Sequence, residues 1–210
     1  LRREPGHHEH EHFVPQSWGR PFLVGLVHGL AGSGALTLLV LTTIVSPWVG
    51  LFYVLLFGLG TLAGMAAEGR NVIVCGYGVF ITMRALEAIR SFICYPHLNV
   101  KFLSSHGGLT AAIDGVTHQS TEDIAFMTTL PQMKVLVPAD SAAAAAAFDI
   151  ALATPGPVFT RLMRDPMHEL YGPNETFKLG VSKVVRPGKD VTIATYGDMV
   201  FQSLLAADEL

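Results

Sequence analysis

Residues 21–67 contain no Asp, Glu, Lys or Arg. This run of roughly 47 residues is about twice the ~20 that one membrane-spanning helix needs. The triplet Ser46, Pro47, Trp48 divides it, with proline as the breaker and tryptophan as an interfacial anchor. The pattern predicts a transmembrane hairpin over residues 21–65, made of helices at about 22–45 and 49–65. Gly25, Gly29, Gly32 and Gly34 give the first helix a small-residue face suited to close packing in lipid. His28 lies within it, and a polar group at membrane depth is costly, so it is a candidate site residue or a partner of backbone carbonyls.

The remaining sequence obeys a different solvent. The whole chain is 50% hydrophobic and only 15% charged, but beyond Ala67 the composition is that of an ordinary soluble protein. A net charge of -3 without any basic block excludes nucleic acid as a natural partner. The first twenty residues form a separate His-rich tail. In it His7, His8, His10 and His12 alternate with Glu9 and Glu11, a density suited to borderline metals such as nickel or zinc, or to a solvated tail. Two cysteines, Cys75 and Cys94, are too few for a disulfide framework and are expected as buried free thiols in a reducing compartment. The chain opens on Leu1 and closes on Leu210 inside an apparent helix, so both ends read as truncated.

Three words in the apolar run carry a resemblance: GLVHGLAGSGAL at 25–36, SPW at 46–48 and LFGLGT at 56–61. They resemble UreH-type, nickel/cobalt-permease-like membrane proteins, whose loops are often His-rich. The likeness covers about two helices of a longer bundle. It implies nickel or cobalt handling, although two helices alone form no transport path.

After residue 66 the pattern alternates short apolar strands with helices. Strands are expected at 71–75, 100–103, 134–137, 158–161 and 191–195. Helices are expected at 80–92, 121–128 (capped by Ser120 or Thr121) and 141–152, and again from Met199. Such alternation gives an α/β fold with a parallel sheet covered on both faces. Ligands then gather beyond the carboxyl ends of the strands. The loop at 105–119 falls there and brings together His106, Asp114 and His118 with Gly107, Gly108 and Gly115. Histidines in such a loop move protons near neutral pH or donate to substrate hydroxyls. A zinc site in this loop has no support from spacing, since the loop holds no CxxC or HxxxH pattern.

The word DGVTHQ at 114–119 matches the DG-x-THQ signature of transketolase and related thiamine-diphosphate enzymes. The agreement extends through AAEGR at 66–70, GVF at 78–80, VPAD at 137–140 and RLMRDP at 161–166, about two-thirds of the chain. The sequence most resembles split-type transketolase C-terminal subunits. That resemblance implies a thiamine-diphosphate pyrimidine-binding domain at 66–180 and the start of a transketolase C-terminal domain at 181–210. It further implies that Phe80 stacks on the cofactor aminopyrimidine and that His118 assists proton transfer at the pyrimidine and the reacting carbon. His106 would hydrogen-bond the donor sugar, Asp114 would read a substrate hydroxyl, and Arg164 would hold a sugar phosphate. Arg161 is expected as an inner, ion-paired residue. The reaction implied is two-carbon ketol transfer between sugar phosphates, with the cofactor as electron sink. Mg2+ and the diphosphate would be held mainly by a separate subunit or domain, within a homo- or hetero-oligomer.

One family residue is missing. Counting back without gaps from the AAEG word, the glutamate that activates the cofactor falls at Leu55, and leucine donates no proton. The word LAGMAA at 62–67 fits the end of the membrane motif and the start of the enzyme motif alike, which predicts a chimera joined there. Three readings follow. The first is a transketolase-type enzyme, cytoplasmic in its enzyme part and inactive alone. The second is a metal-handling fragment held in the membrane through residues 21–65. The third is a non-catalytic transketolase-like subunit.

Overall fold

The computed structural model describes residues 41–172 and 175–210. The His-rich tail and most of the first expected hairpin helix, with His28 and its glycine face, lie outside the described residues. The chain divides into two compact units, residues 1–57 and 58–210.

Helix α1 spans Pro47–Ala67. Its start is dictated by sequence: proline at the first helical position loses no hydrogen bond, and its fixed φ suits the first turn. The Ser46 carbonyl accepts from the Gly50 N–H at 3.0 Å. The break expected at Ser46 to Trp48 is therefore real. Among the described residues no helix is long and apolar enough to cross a membrane. The last turns of α1, with Leu62, Ala63, Met65 and Ala66, pack into the core of the second unit, which gives their apolar surface a place out of water, while Trp48, Val49, Leu51 and Phe52 near its start are exposed. The helix also runs unbroken through residues 62–67, where a seam was expected.

The second unit is a four-stranded parallel sheet in the order β1-β2-β4-β3, with β1 at Val72–Tyr77, β2 at Val100–Ser105, β3 at Lys134–Leu136 and β4 at Val158–Arg161. Helix α2 is a composite: π-helical at Phe80–Arg84 and Ile89–Cys94, with an α turn at Leu86–Ala88 between them. Helix α3 spans Asp123–Thr129, α4 Ser141–Ala153 and α5 Met199–Glu209. Alternate residues Val72, Val100, Phe102 and Phe159 face one side and bury against Ile81, Ile89 and Ile93 of α2, Met127 of α3 and Ala66 of α1. Lys101 on the opposite face is buried too, and its Nζ donates to the carbonyls of Thr154 and Gly156, the latter at 2.7 Å.

Three expectations need correction. Cys75 is exposed while Cys94 is buried, because Cys75 sits on the outer face of edge strand β1 beside exposed Ile73 and Tyr77. Helix α3 takes no cap from Ser120 or Thr121; the Asp123 carboxylate itself accepts the Ile124 N–H at 2.8 Å. Residues 191–195 form no strand. The sheet pairs only β1 to β4 among the described residues, and Val191 and Ile193 stay exposed. The helix expected from Met199 is present as α5.

Candidate active site

Phe80, His106, Asp114, His118 and Arg164 each lie just past the carboxyl end of a strand or in the loop that follows one. Tyr77 ends β1 and is paired in register with Ser105, which ends β2. That register sets the Tyr77 ring against His106, with centroids 4.1 Å apart. Gly78 turns the chain into α2. A Cβ there would meet Ser120 Oγ at 2.9 Å and Ser104 Oγ at 3.0 Å, so only glycine lets the start of α2 close onto the loop. Phe80 follows, stacked on Tyr77 at 5.7 Å and meeting the edge of the His118 ring at 5.3 Å. Arg84, one turn along, places its guanidinium 4.4 Å from the centroid of the Phe80 ring, a cation–π contact that fixes the ring.

The loop from 105 to 119 is organised by its own backbone. Gly108 and Ser120 exchange two hydrogen bonds, N–H to O at 2.8 and 2.9 Å, closing its base. A 3-10 turn at Ala112–Asp114 then carries Asp114 back toward His106. The His106 Nε2 lies 3.8 Å from Asp114 Oδ2, and its Nδ1 is 2.9 Å from Ser105 Oγ. His106 has φ +59, the left-handed region that non-glycine residues rarely enter and that clusters at functional sites. Thr110 Oγ1 donates to the Gly107 carbonyl at 2.7 Å and accepts the Arg164 N–H at 3.3 Å, joining the loop to the segment after β4. Arg164 Nη1 donates to the Ala111 carbonyl at 3.1 Å and sits 3.5 Å from the Asp114 carboxylate. A cavity of about 760 Å3 opens beside the loop, lined in part by Thr110, Arg161, Asp165, Tyr196 and Asp198.

The fold thus brings all five expected residues together in two joined groups. Phe80 and His118 meet ring to edge. His106, Asp114 and Arg164 form a chain of polar contacts. Tyr77 links the groups, touching His106, Phe80 and His118, the last at 5.9 Å. Sequence reasoning missed Tyr77. The available signal was its place as an aromatic three residues before Phe80, in the turn that follows the expected strand at 71–75. Arg161 is ion-paired inside the protein, as expected: its Nε donates to Asp123 Oδ2 at 2.8 Å.

Residues 58–168 match the family described as transketolase, pyrimidine binding domain. The chain belongs to that family. Two curated relatives of this transketolase-type chain are similar over most of it. A 6-deoxy-6-sulfo-D-fructose transketolase subunit of a Clostridium species is 41% identical over 152 residues, covering 72% of this chain and 47% of the relative. An apulose-4-phosphate transketolase subunit of Phocaeicola vulgatus is 32% identical over 148 residues, covering 70% and 47%. A split-gene transketolase solved as an inactive β4 tetramer superposes with a TM-score of 0.66 at 40% identity, covering 72% of this chain and 48% of that one. The chain spans about half the length of the relatives it matches. The transketolase match runs across residues 62–67 and gives the expected seam no support. The permease likeness of the first sixty-five residues gains none from these comparisons either.

Proposed function

We propose that this chain is the pyrimidine-binding part of a transketolase-type enzyme that carries out thiamine-diphosphate-dependent two-carbon ketol transfer between sugar phosphates, and that it is inactive without its partner. The observation that carries this reading is the convergence of the Tyr77, Phe80, His106 and His118 rings, with centroids 4.1 to 5.9 Å apart, at the carboxyl ends of β1 and β2. A flat heterocycle asks for a flat apolar partner with a proton-handling group at its edge, and Phe80 with His118 fits both needs. When bound, thiamine diphosphate supplies the electron sink for ketol transfer. Phe80 holds the aminopyrimidine, and His118 moves the proton beside it. His106 donates to the donor sugar, Asp114 accepts from a sugar hydroxyl, and Arg164 pairs with the sugar phosphate through its planar fork. Tyr77 keeps the two groups in register.

Two features favour a separate subunit or domain as partner. No group of three or more His, Cys, Asp or Glu side chains among the described residues is arranged to hold a metal, so Mg2+ and the diphosphate are assigned to the partner. Leu109, Ile113 and Val116 stand exposed on the same loop as Asp114, apolar surface that an oligomer would cover. Leu55 occupies, by sequence position, the place of the activating glutamate, which favours a chain that binds but does not turn over. The test is thiamine-diphosphate binding with magnesium, the chain being mixed with a diphosphate-binding subunit and followed by circular dichroism. Binding without ketol transfer, with turnover appearing in Leu55→Glu, is the expected result. Absence of binding in every mixture would overturn the reading.

A further inference from the structure

We propose that the buried Asp123–Arg161 pair is a positioning device that holds His106 in its left-handed backbone conformation. The inference rests on the reading above, in which His106 donates to the donor sugar; Arg161 acts through His106.

Arg161 closes β4 and Asp123 opens α3, 38 residues apart in sequence. Asp123 is fully buried and Arg161 is 8% exposed. Both carboxylate oxygens of Asp123 are engaged. Oδ2 accepts from Arg161 Nε at 2.8 Å, and Oδ1 accepts the Ile124 N–H at 2.8 Å. The guanidinium is thereby held against the backbone that follows His106. A Cβ on Gly107 would lie 2.8 Å from Arg161 Nε, 2.9 Å from its Cγ and 3.0 Å from its Cζ. A Cβ on Gly108 would lie 2.7 Å from Nη2. Two glycines in succession are therefore required by the nearness of one side chain.

The backbone on either side of His106 is tied to the same strand end. Gly107 N–H donates to the Leu162 carbonyl at 3.0 Å, and Leu162 N–H donates to the Ser104 carbonyl at 2.6 Å. Between these ties His106 takes φ +59, a conformation that persists only where its surroundings over-determine it. Arg161 is the side chain filling the space that any relaxation of 107–108 would use. Stability gives no separate reason for the pair, since apolar residues of similar volume hold a core at least as well as two buried charges. The carboxylate of Asp198 forms a longer ion pair with Arg161, 3.9 Å from Nη1, and is itself 45% exposed, so solvent screens it more than Asp123.

The test uses the full chain and the imidazole signals of its histidines in 1H–15N spectra, with His106 assigned from His106→Gln. Asp123→Asn, Arg161→Gln and Gly107→Ala are all expected to move the His106 signals. His97 and His168, which pack elsewhere against Gly156 and Phe201, should keep theirs. Gly107→Ala leaves both charges in place, so a shift there separates geometry from charge. Should Arg161→Gln lose its cooperative melt, Arg161→Lys is read instead, as it keeps the cation and loses the fork. Unmoved His106 signals in the Arg161 variant and in Gly107→Ala would overturn the proposal. In the Leu55→Glu background with the partner subunit present, the same variants should raise the donor-sugar KM more than they lower kcat. If the wild-type chain binds no cofactor the functional reading fails, while the spectra still decide the role of Arg161.

Discussion

The Arg164 guanidinium stands 3.5 Å from the Asp114 carboxylate, a contact across 50 residues that brings the end of β4 to the loop after β2. Both side chains are about a third exposed. Solvent screening therefore leaves the pair worth under about 1 kcal/mol to stability. Its value lies in placing a cation and an acceptor side by side, with His106 on the other flank of the carboxylate.

Asp114→Asn should accordingly melt like the parent, within about 1 kcal/mol in urea titrations. In an enzyme reconstituted on the Leu55→Glu background it should raise the donor KM about tenfold or more, because a charged acceptor for a sugar hydroxyl is lost. A variant that lost stability without affecting KM would place Asp114 in the scaffold.

Phe80→Ala and Tyr77→Ala should each weaken thiamine-diphosphate binding by several-fold, from about 1 kcal/mol of ring–ring interaction in addition to lost area. Calorimetric titration in the presence of the partner measures both. The effect of Tyr77 should exceed expectation for a partly exposed aromatic, because removing it also frees His106.

Asp140 is the structural keystone of the second half of the sheet. Its Oδ1 caps α4 through the Ala143 N–H at 2.7 Å, and its Oδ2 accepts the Leu170 and Tyr171 N–H groups at 2.9 and 2.7 Å. Asp140→Ala removes the cap and strands two further donors, a combined cost of about 2–4 kcal/mol. Urea unfolding should show a matching fall in midpoint at unchanged slope.

The two thiols should separate cleanly in labelling. Cys75 is exposed and should react at once. Burial pushes the Cys94 thiol up to about 11, so it carries little thiolate at neutral pH and should label only on unfolding. Cys75→Ser should abolish the fast phase and leave the slow one intact.

Lys101 gives stability an alkaline slope. Burial, then repulsion from Lys134, brings its folded-state value from 10.5 down to about 8. Between these limits the unfolded chain binds more protons than the folded one, so stability rises as pH increases from about 8 toward 10. Below about 8 both states are protonated and the slope vanishes. Lys101→Met should flatten the curve, which urea titrations across this pH range would measure. Tyr171, whose phenol burial raises, works the opposite way above about 10 and sets the upper end of the useful window.

The sequence alone determined the α/β class, all four strands of the sheet to within two residues at either end, and the gathering of His106, Asp114 and His118 on one loop, because these rest on local causes. Alternating strands and helices are written in hydrophobic periodicity, and DGVTHQ at 114–119 is one contiguous loop. The apolar run at 21–67 was locally indistinguishable from a membrane hairpin. Only the tertiary structure gave the end of α1 a protein core to bury against, since apolar surface records that it must leave water and not where it goes. Tyr77 became a site residue through its ladder register with Ser105, and Arg161 through a carboxylate 38 positions away. Residues 191–195 carry strand sequence and remain unpaired, because a strand is completed by its neighbour. Contacts between distant segments depend on how the sheet orders its strands, and no window of sequence contains that order.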